Sequence, residues 1–360
     1  MNYYMSETQV DESQTRTAGS KARNDVETIF KEEKMIPIYV AVMQKNRKKK
    51  SKITQKMQIH WQIYKEWVAK TKELSKGDVL FVQFPCLEHT LFLKKLLTDL
   101  KKRGVKTVLL IHDLEMLRIS KEKNTKLKKK IRLRIEEYSC LKNAGTVISH
   151  NPSMTDYLIS IGIAKEHIVT LGIFDYLIPE FMPKKISNKN KVIIAGNLAS
   201  RKAGYVYELP NTVKFELFGV NYTGAQNEMI TFHGSFPSDE LPNMMEGGFG
   251  LVWDGTSSKT CEGIYGSYLR INNPHKTSLY LASGIPVLIW KEAALADFVE
   301  KNHCGLLIGS LDDIPIVLNN LSQMDYDSLK REAEKISQLL RNGVFTKKAI
   351  IYCLNNGVWS

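Results

Sequence analysis

Short apolar runs rich in β-branched residues alternate with longer amphipathic stretches from one end of the chain to the other, and this alternation restricts the fold more than any other feature. Strands buried on both faces read as continuous apolar runs, and joining them in parallel needs a crossover of helical length. The pattern therefore predicts parallel sheets covered by helices, an α/β chain. In the first half strands are expected at Ile36–Val42, Val79–Phe84, Lys106–Ile111, Thr146–Ile148 and Ile168–Leu171, with helices near 20–33, 54–74, 89–103, 126–142 and 152–161. In the second half strands are expected at Lys191–Ala195, Phe215–Phe218, Met229–His233, Gly250–Trp253, Val287–Ile289 and Gly305–Ile308, with helices near 238–245, 275–282, 293–301 and 325–340.

The periodicity breaks at Ile178–Asn190, where two prolines are followed by a polar run, so a linker is expected there. It divides the 360 residues into two domains of ordinary size, 1–182 and 183–342. Two such α/β units present the carboxyl ends of their strands to a shared cleft, the place where ligands bind in open parallel sheets. Neither the Walker-type phosphate loop nor the dinucleotide glycine fingerprint occurs, and no internal repeat is found.

Charge separates the halves. The net charge is +13, of which residues 1–182 hold 33 basic against 21 acidic side chains, while 183–360 hold 18 against 17. The excess concentrates in Lys45–Lys52 and in Lys121–Arg134. Three readings stand: solvated faces, a polybasic surface for an anionic bilayer, or a nucleic-acid contact. The last ranks below the membrane because no nucleic-acid-binding signature accompanies the charge, and no nucleic-acid partner is expected. The five cysteines are scattered with no paired spacing, which signals neither a disulfide framework nor a zinc site and suits the reduced cytosol. A leader-like start and an apolar run of membrane-spanning length are both missing from the sequence, so a cytoplasmic protein is expected.

Three segments end strands with chemistry-bearing side chains, and a fourth opens a helix with them. Thr107–Arg118 runs an apolar strand into His112, Asp113 and Glu115. A carboxylate there suits a general base on an acceptor hydroxyl, with the histidine orienting it or touching substrate; a helix cap beside a satisfied histidine is the plain alternative, and Asp113 and Glu115 cannot be ranked. Lys191–Tyr205 ends a strand in a small-residue turn carrying Asn197, Ser200, Arg201 and Lys202, suited to a diphosphate or merely to a polar turn. Asn272, Asn273 and Pro274 form a turn that puts His275, Lys276 and Thr277 in the first turn of a helix. A lysine there opposes the helix dipole unless an anion is present, which favours a phosphate site. After His233, Phe236 and Pro237 precede Ser238, a cap candidate; Phe236 suits either nucleobase packing or a hydrophobic staple. Near the start, Gly19 lies in Thr15–Asp25, an anion or sugar contact or a simple helix entry. The one Asp-x-Asp, Asp325-Tyr-Asp327, sits at a helix start where capping explains it, and no metal is expected.

Taken in order, Ala18–Asp25, His112–Glu115 with Arg118, Asn151–Met154, Leu171–Phe174, Ala195–Asn197, Asn273–Lys276 and Leu279–Pro286 resemble a bacterial GT-B glycosyltransferase family. That family contains the β-1,6-galactofuranosyltransferases and the glucosyltransferase that extends GlcNAc on streptococcal serine-rich-repeat adhesins. The resemblance implies two Rossmann-like domains facing a central cleft, a UDP-sugar donor held mainly by the second, an acceptor entering from the first, and no metal cofactor. By position it implies diphosphate contacts at Arg201 and Lys276, with Asn197, Tyr222, Asn272 and Asn273 nearby. It also implies that 343–360 crosses back to the first domain and that the chain forms a homo-oligomer. The expected activity is transfer of galactofuranose or glucose to a glycan hydroxyl in cell-surface polysaccharide or glycoprotein assembly. The basic runs suit a lipid-linked acceptor on the inner face of the membrane. A non-catalytic subunit that positions acceptors for another enzyme is the competing expectation.

Overall fold

A computed structural model describes residues 1–8, 18–41, 53–87, 91–120, 127–183 and 189–356. The first half holds one six-stranded sheet: β1 (Asn2–Thr8), β2 (Ile36–Ala41), β3 (Val79–Phe84), β4 (Lys106–Ile111), β5 (Thr146–Ser149) and β6 (Ile168–Thr170), in the order β2-β1-β3-β4-β5-β6 and parallel throughout. Helices α1 (Ala18–Glu32), α2 (Ile53–Lys70), α3 (Leu93–Lys102), α4 (Glu115–Ser120), α5 (Leu127–Asn143) and α6 (Pro152–Ser160) supply the crossovers.

The second half repeats the plan with β7 (Lys191–Asn197), β8 (Lys214–Val220), β9 (Ile230–Phe232), β10 (Phe249–Val252), β11 (Val287–Trp290) and β12 (Gly305–Ile308), ordered β12-β11-β10-β7-β8-β9, again all parallel. Its helices are α7 (Ser200–Ala203), α8 (Leu241–Met244), α9 (Gly263–Gly266), α10 (His275–Ala282), α11 (Ala296–Lys301), α12 (Asp313–Asn320), α13 (Gln323–Arg341) and α14 (Val344–Asn356). Strand order reverses between β7 and β10, so a crevice opens at their carboxyl ends.

Buried Leu80, Val82, Leu109 and Ile111 face one side of the first sheet, and Val79, Phe81, Val108 and Leu110 face the other, the alternation expected of strands covered twice. One central strand departs from the expectation. β1, Asn-Tyr-Tyr-Met-Ser-Glu-Thr, lies between β2 and β3 with Tyr4 and Met5 buried, although its polar residues conceal it as a strand. Helix α12 is also additional to the expected set, and α8 is one turn led by Glu240, so Ser238 does not cap it.

Two close approaches seat α10 on the second sheet. A Cβ on Gly250 would fall 2.1 Å from the ring of Tyr280, so only glycine lets that ring lie on β10. The Tyr280 hydroxyl then accepts the Ala195 N–H of β7 at 2.7 Å. Tyr280 follows Lys276 by one helical turn, so this contact fixes where the lysine emerges.

The halves meet through a polar junction. Asn151, which caps α6, donates to Ile271 O and to Asn273 Oδ1, both at 2.8 Å. Asn273 Nδ2 donates to His150 O and Gly172 O, and Asn273 N donates to His150 Nδ1 at 3.0 Å. At the end of the chain α14 returns to the first half. Asp175 accepts Phe345 N and Thr346 N, Lys347 pairs with Glu32 at 2.7 Å, and Ala349, Ile350 and Cys353 join the core of Tyr4, Val26 and Phe30.

Candidate active site

The crevice at the switch between β7 and β10 collects charge. β10 ends at Val252 and is followed by Trp253 and Asp254. Lys276, in the first turn of α10, donates to Trp253 O at 2.8 Å and to Asp254 Oδ1 at 2.9 Å. The lysine's conflict with the helix dipole is thus met by an internal carboxylate, so its position alone is not a signature of a bound anion. Both partners are largely enclosed, with side-chain exposures of 15% and 11%. Across from them α7 presents Lys202, which lies over the Tyr265 ring, while the neighbouring Arg201 is exposed. The turn is tied down because Lys202 O accepts Gly255 N at 2.9 Å and Ala203 bridges Gly255. Burial pulls the Lys202 ammonium down from its ordinary range; the Asp254 charge opposes this and the Lys276 charge adds to it.

The first half contributes the opposite wall. β4 delivers His112 and Asp113, and Asp113 Oδ2 accepts Arg118 Nη1 at 2.8 Å. Asp113 Oδ1 is buried with no hydrogen-bond partner. Glu115 opens α4, where its N–H and that of Met116 donate to the two oxygens of Glu137, a carboxyl that burial raises to about 7. Asp113 and Arg118 both act electrostatically on Lys202, which places the two walls within range of each other. Three cations, Lys202, Lys276 and Arg118, thus face two carboxylates, Asp254 and Asp113, leaving the cluster one positive charge in excess.

Three histidines surround Phe174 in the chain that leads from one half to the other. His112 stacks on its ring with centroids 5.4 Å apart, and His150 and His275 meet it edge-on. Burial pulls His150 to about 4 and His275 to about 3, and holds His112 well below its ordinary range, so all three rings are neutral near pH 7. The tautomers follow from the contacts. His150 Nδ1 accepts a backbone N–H, so its Nε2 donates to Ile111 O, and His112 Nε2 donates to Gln83 Oε1, leaving Nδ1 as an acceptor.

The remaining expected residues are distributed less compactly. Asn197 Oδ1 accepts Ala199 N and Asn221 Nδ2, both at 3.1 Å, which fixes the turn after β7. Tyr222 stacks on Tyr207 at 5.6 Å and donates to Ala225 O, and Phe236 packs on Phe218. Asn273 is taken up by the junction: both amide hydrogens and its Oδ1 are engaged there and the side chain is buried, so it is not presented to a ligand. Asn272 Oδ1, His275 Nε2 and Thr277 Oγ1 are buried without partners. Gly19 lies inside α1. Asp325 is bonded to Ser322 at the start of α13 and Asp327 to Gln323. Among the described residues no group of three His, Cys, Asp or Glu side chains is placed to hold a metal. Lys45–Lys52 and residues 121–126 lie outside the described residues; α5 carries the rest of the second basic run.

Asp254 and Lys202 belong to this charged cluster, although the sequence points less directly to them than to Lys276 and Asp113. Asp254 follows an apolar strand just as Asp113 does, so the same signal was present for it.

Two family models match, the N-terminal domain of glucosyltransferase 3-like proteins over residues 2–173 and the C-terminal domain over 192–353. The β-1,6-galactofuranosyltransferase WbbI of Escherichia coli K12 is 36% identical over 284 residues, covering 77% of this chain and 79% of that protein. The chain belongs to the glucosyltransferase 3-like family. Another member, glucosyltransferase 3 of Streptococcus parasanguinis, is 25% identical over 280 residues, covering 77% of this chain and 78% of its own. Among solved structures, HepE of Anabaena in complex with UDP has a TM-score of 0.58 at 12% identity, covering 98% of this chain and 99% of that one. The lipopolysaccharide glycosyltransferase WaaG has a TM-score of 0.53 at 11% identity, covering 99% and 100%. This glucosyltransferase 3-like protein therefore has the GT-B fold of two Rossmann-like units, and it is a glycosyltransferase.

Proposed function

We propose that the chain transfers a hexosyl residue from a UDP-sugar to a hydroxyl of a glycan acceptor, with the switch-point crevice as donor site and Asp113 as the base. The observation that carries this reading is the meeting, across one cleft, of the Lys202–Asp254–Lys276 cluster with the Asp113–Arg118 pair. The excess positive charge suits a diphosphate, which arrives doubly negative and gains charge as the sugar leaves. Lys276 and Lys202 hold it, and Arg201 stands at the exposed rim. The acceptor oxygen attacks the anomeric carbon, the carbon–oxygen bond to UDP breaks, and the Asp113 carboxylate, about a third exposed to the cleft, takes the hydroxyl proton. Tyr222 and Tyr207 offer a stacking face for the uracil.

UDP-galactofuranose is the first donor to test, because the relative that is 36% identical is named for that transfer; UDP-glucose is the second. A lipid-linked acceptor suits the basic runs, and would place the protein peripherally on an anionic membrane surface. Among the described residues no helix is long and apolar enough to cross a membrane. The homo-oligomer implied by the resemblance is checked by sedimentation. The function is tested by following UDP release from each donor with a panel of alkyl hexosides and reading the product linkage by NMR. Release from one donor that requires an acceptor supports transfer; UDP binding with no release from either donor would instead identify a non-catalytic subunit.

A further inference from the structure

One hydroxyl crosses the cleft from the second half into the first. Tyr268 lies in the 3-10 turn Ser267–Arg270 that leads into the junction, and its hydroxyl accepts Leu114 N, from the chain just after β4, at 3.0 Å. The phenol end is enclosed, and burial, with the neighbouring Asp113 charge, holds it well above its ordinary range, so it keeps its proton. One lone pair is occupied by Leu114 N–H, and the single proton must point at another acceptor. The neighbouring acceptor is the carboxylate of Asp113, the residue before Leu114; its Oδ2 is held by Arg118 and its Oδ1 has no partner.

Tyr268 is itself placed by the junction. The turn that carries it ends at Ile271, whose carbonyl accepts Asn151 Nδ2 from the first half at 2.8 Å, and Asn273 is anchored to His150 two residues further on. Leu269 O is fixed from within the second half by Ala294 N at 2.8 Å. Seating the two halves therefore also brings the phenol to the carboxylate.

We propose that Tyr268 is a positioning residue, contributed by the donor-side half, that orients the Asp113 carboxylate when the halves are seated. The role rests on the reading of Asp113 as the base. A carboxylate held on one side by Arg118 alone is free to rotate; the Tyr268 hydroxyl, anchored on Leu114 N in the next residue, stands on the opposite wall where it can steady that carboxylate.

The test is a double-mutant cycle with Tyr268→Phe and Asp113→Asn, read by UDP release from UDP-galactofuranose and UDP-glucose with alkyl hexosides as acceptors. Tyr268→Phe is expected to lower kcat roughly 10- to 100-fold through misorientation of the base, while the donor KM and the UDP dissociation constant stay near wild type; the unpaired Leu114 N lowers the melting temperature without emptying the folded state. Added to Asp113→Asn, the same change is expected to cost nothing further, because the group it orients is gone. An equal fall in both backgrounds, or a rise in donor KM without a fall in kcat, overturns the positioning role and leaves the base reading intact. Full turnover by Asp113→Asn alone overturns the base reading, and the positioning role with it.

Discussion

Two polar regions lie side by side between the halves of this molecule, and they are built on opposite principles. The junction of Asn151, Asn273, His150 and Gly172 is neutral, and the Asn273 amide has both its hydrogens and its oxygen engaged. The cleft cluster of Lys202, Lys276, Asp254, Asp113 and Arg118 is charged, carries an excess positive charge and leaves Asp113 Oδ1 unpartnered. A saturated neutral network holds structure and has no capacity for a ligand, whereas an unsaturated charged one is costly until something binds it. The segment Asn272–Thr277 serves both regions, since Asn273 belongs to the first and Lys276, three residues on, to the second.

The contrast breaks most visibly at Asn273. Asn273→Ala strips partners from His150 O, Gly172 O and Asn151 Nδ2, and an expected loss of about 3 kcal/mol in chemical denaturation follows from leaving such groups buried and unpaired. A variant as stable as wild type would mean the junction is incidental. Next in size is the comparison of Lys202 with Arg201. Lys202→Met is expected to weaken UDP binding roughly tenfold, the scale of one charge-assisted contact, while Arg201→Ala at the exposed rim changes it about twofold. Calorimetry ranks the two, and the reverse order would return the diphosphate contact to Arg201.

The smallest effect concerns pH. His150 and His275 have folded values of about 4 and about 3, below about 6.5 for a free ring, so each takes up a proton when the chain unfolds. Their contribution to stability is complete above that free-ring value, declines as pH falls and is exhausted below the folded values. Asp175, raised to about 6 by burial, works the opposite way in part of this window, so the rings are better followed directly. Their imidazole resonances are expected to remain at neutral positions down to pH 5, and titration near 6.5 would show that the junction admits water.

Much of the fold was legible because strands covered on both faces show as uninterrupted apolar runs, as in β3 and β4. β1 was not, since Ser6 is recruited to a hydrogen bond with Glu27 and so looks like surface in the sequence. The placement of His112 and Asp113 at a strand end was readable for the same reason as the strand itself. Lys202 was harder to separate from Arg201, because which of two adjacent cations turns inward depends on Ala203 bridging Gly255, some fifty residues away. Tyr268 offered no local signal, as its partner Leu114 lies 154 positions earlier in the chain. Asn273 was expected beside the donor and is spent on the junction; a cap-like Asn-Asn-Pro turn does not reveal that its amide faces the other half.

The most direct test titrates UDP into the wild-type protein, Lys276→Ala and Asn273→Ala by calorimetry, with melting temperatures measured on the same samples. The charged cluster and the neutral junction are predicted to separate in binding: Lys276→Ala, while folded, loses UDP affinity by roughly a hundredfold, the scale of removing one enclosed charge from an anion site, and it also melts earlier because Asp254 and Trp253 O lose their partner. Asn273→Ala is predicted to melt earlier and, while folded, still to bind UDP. Unchanged UDP affinity in Lys276→Ala would contradict the account and move the donor site elsewhere in the molecule.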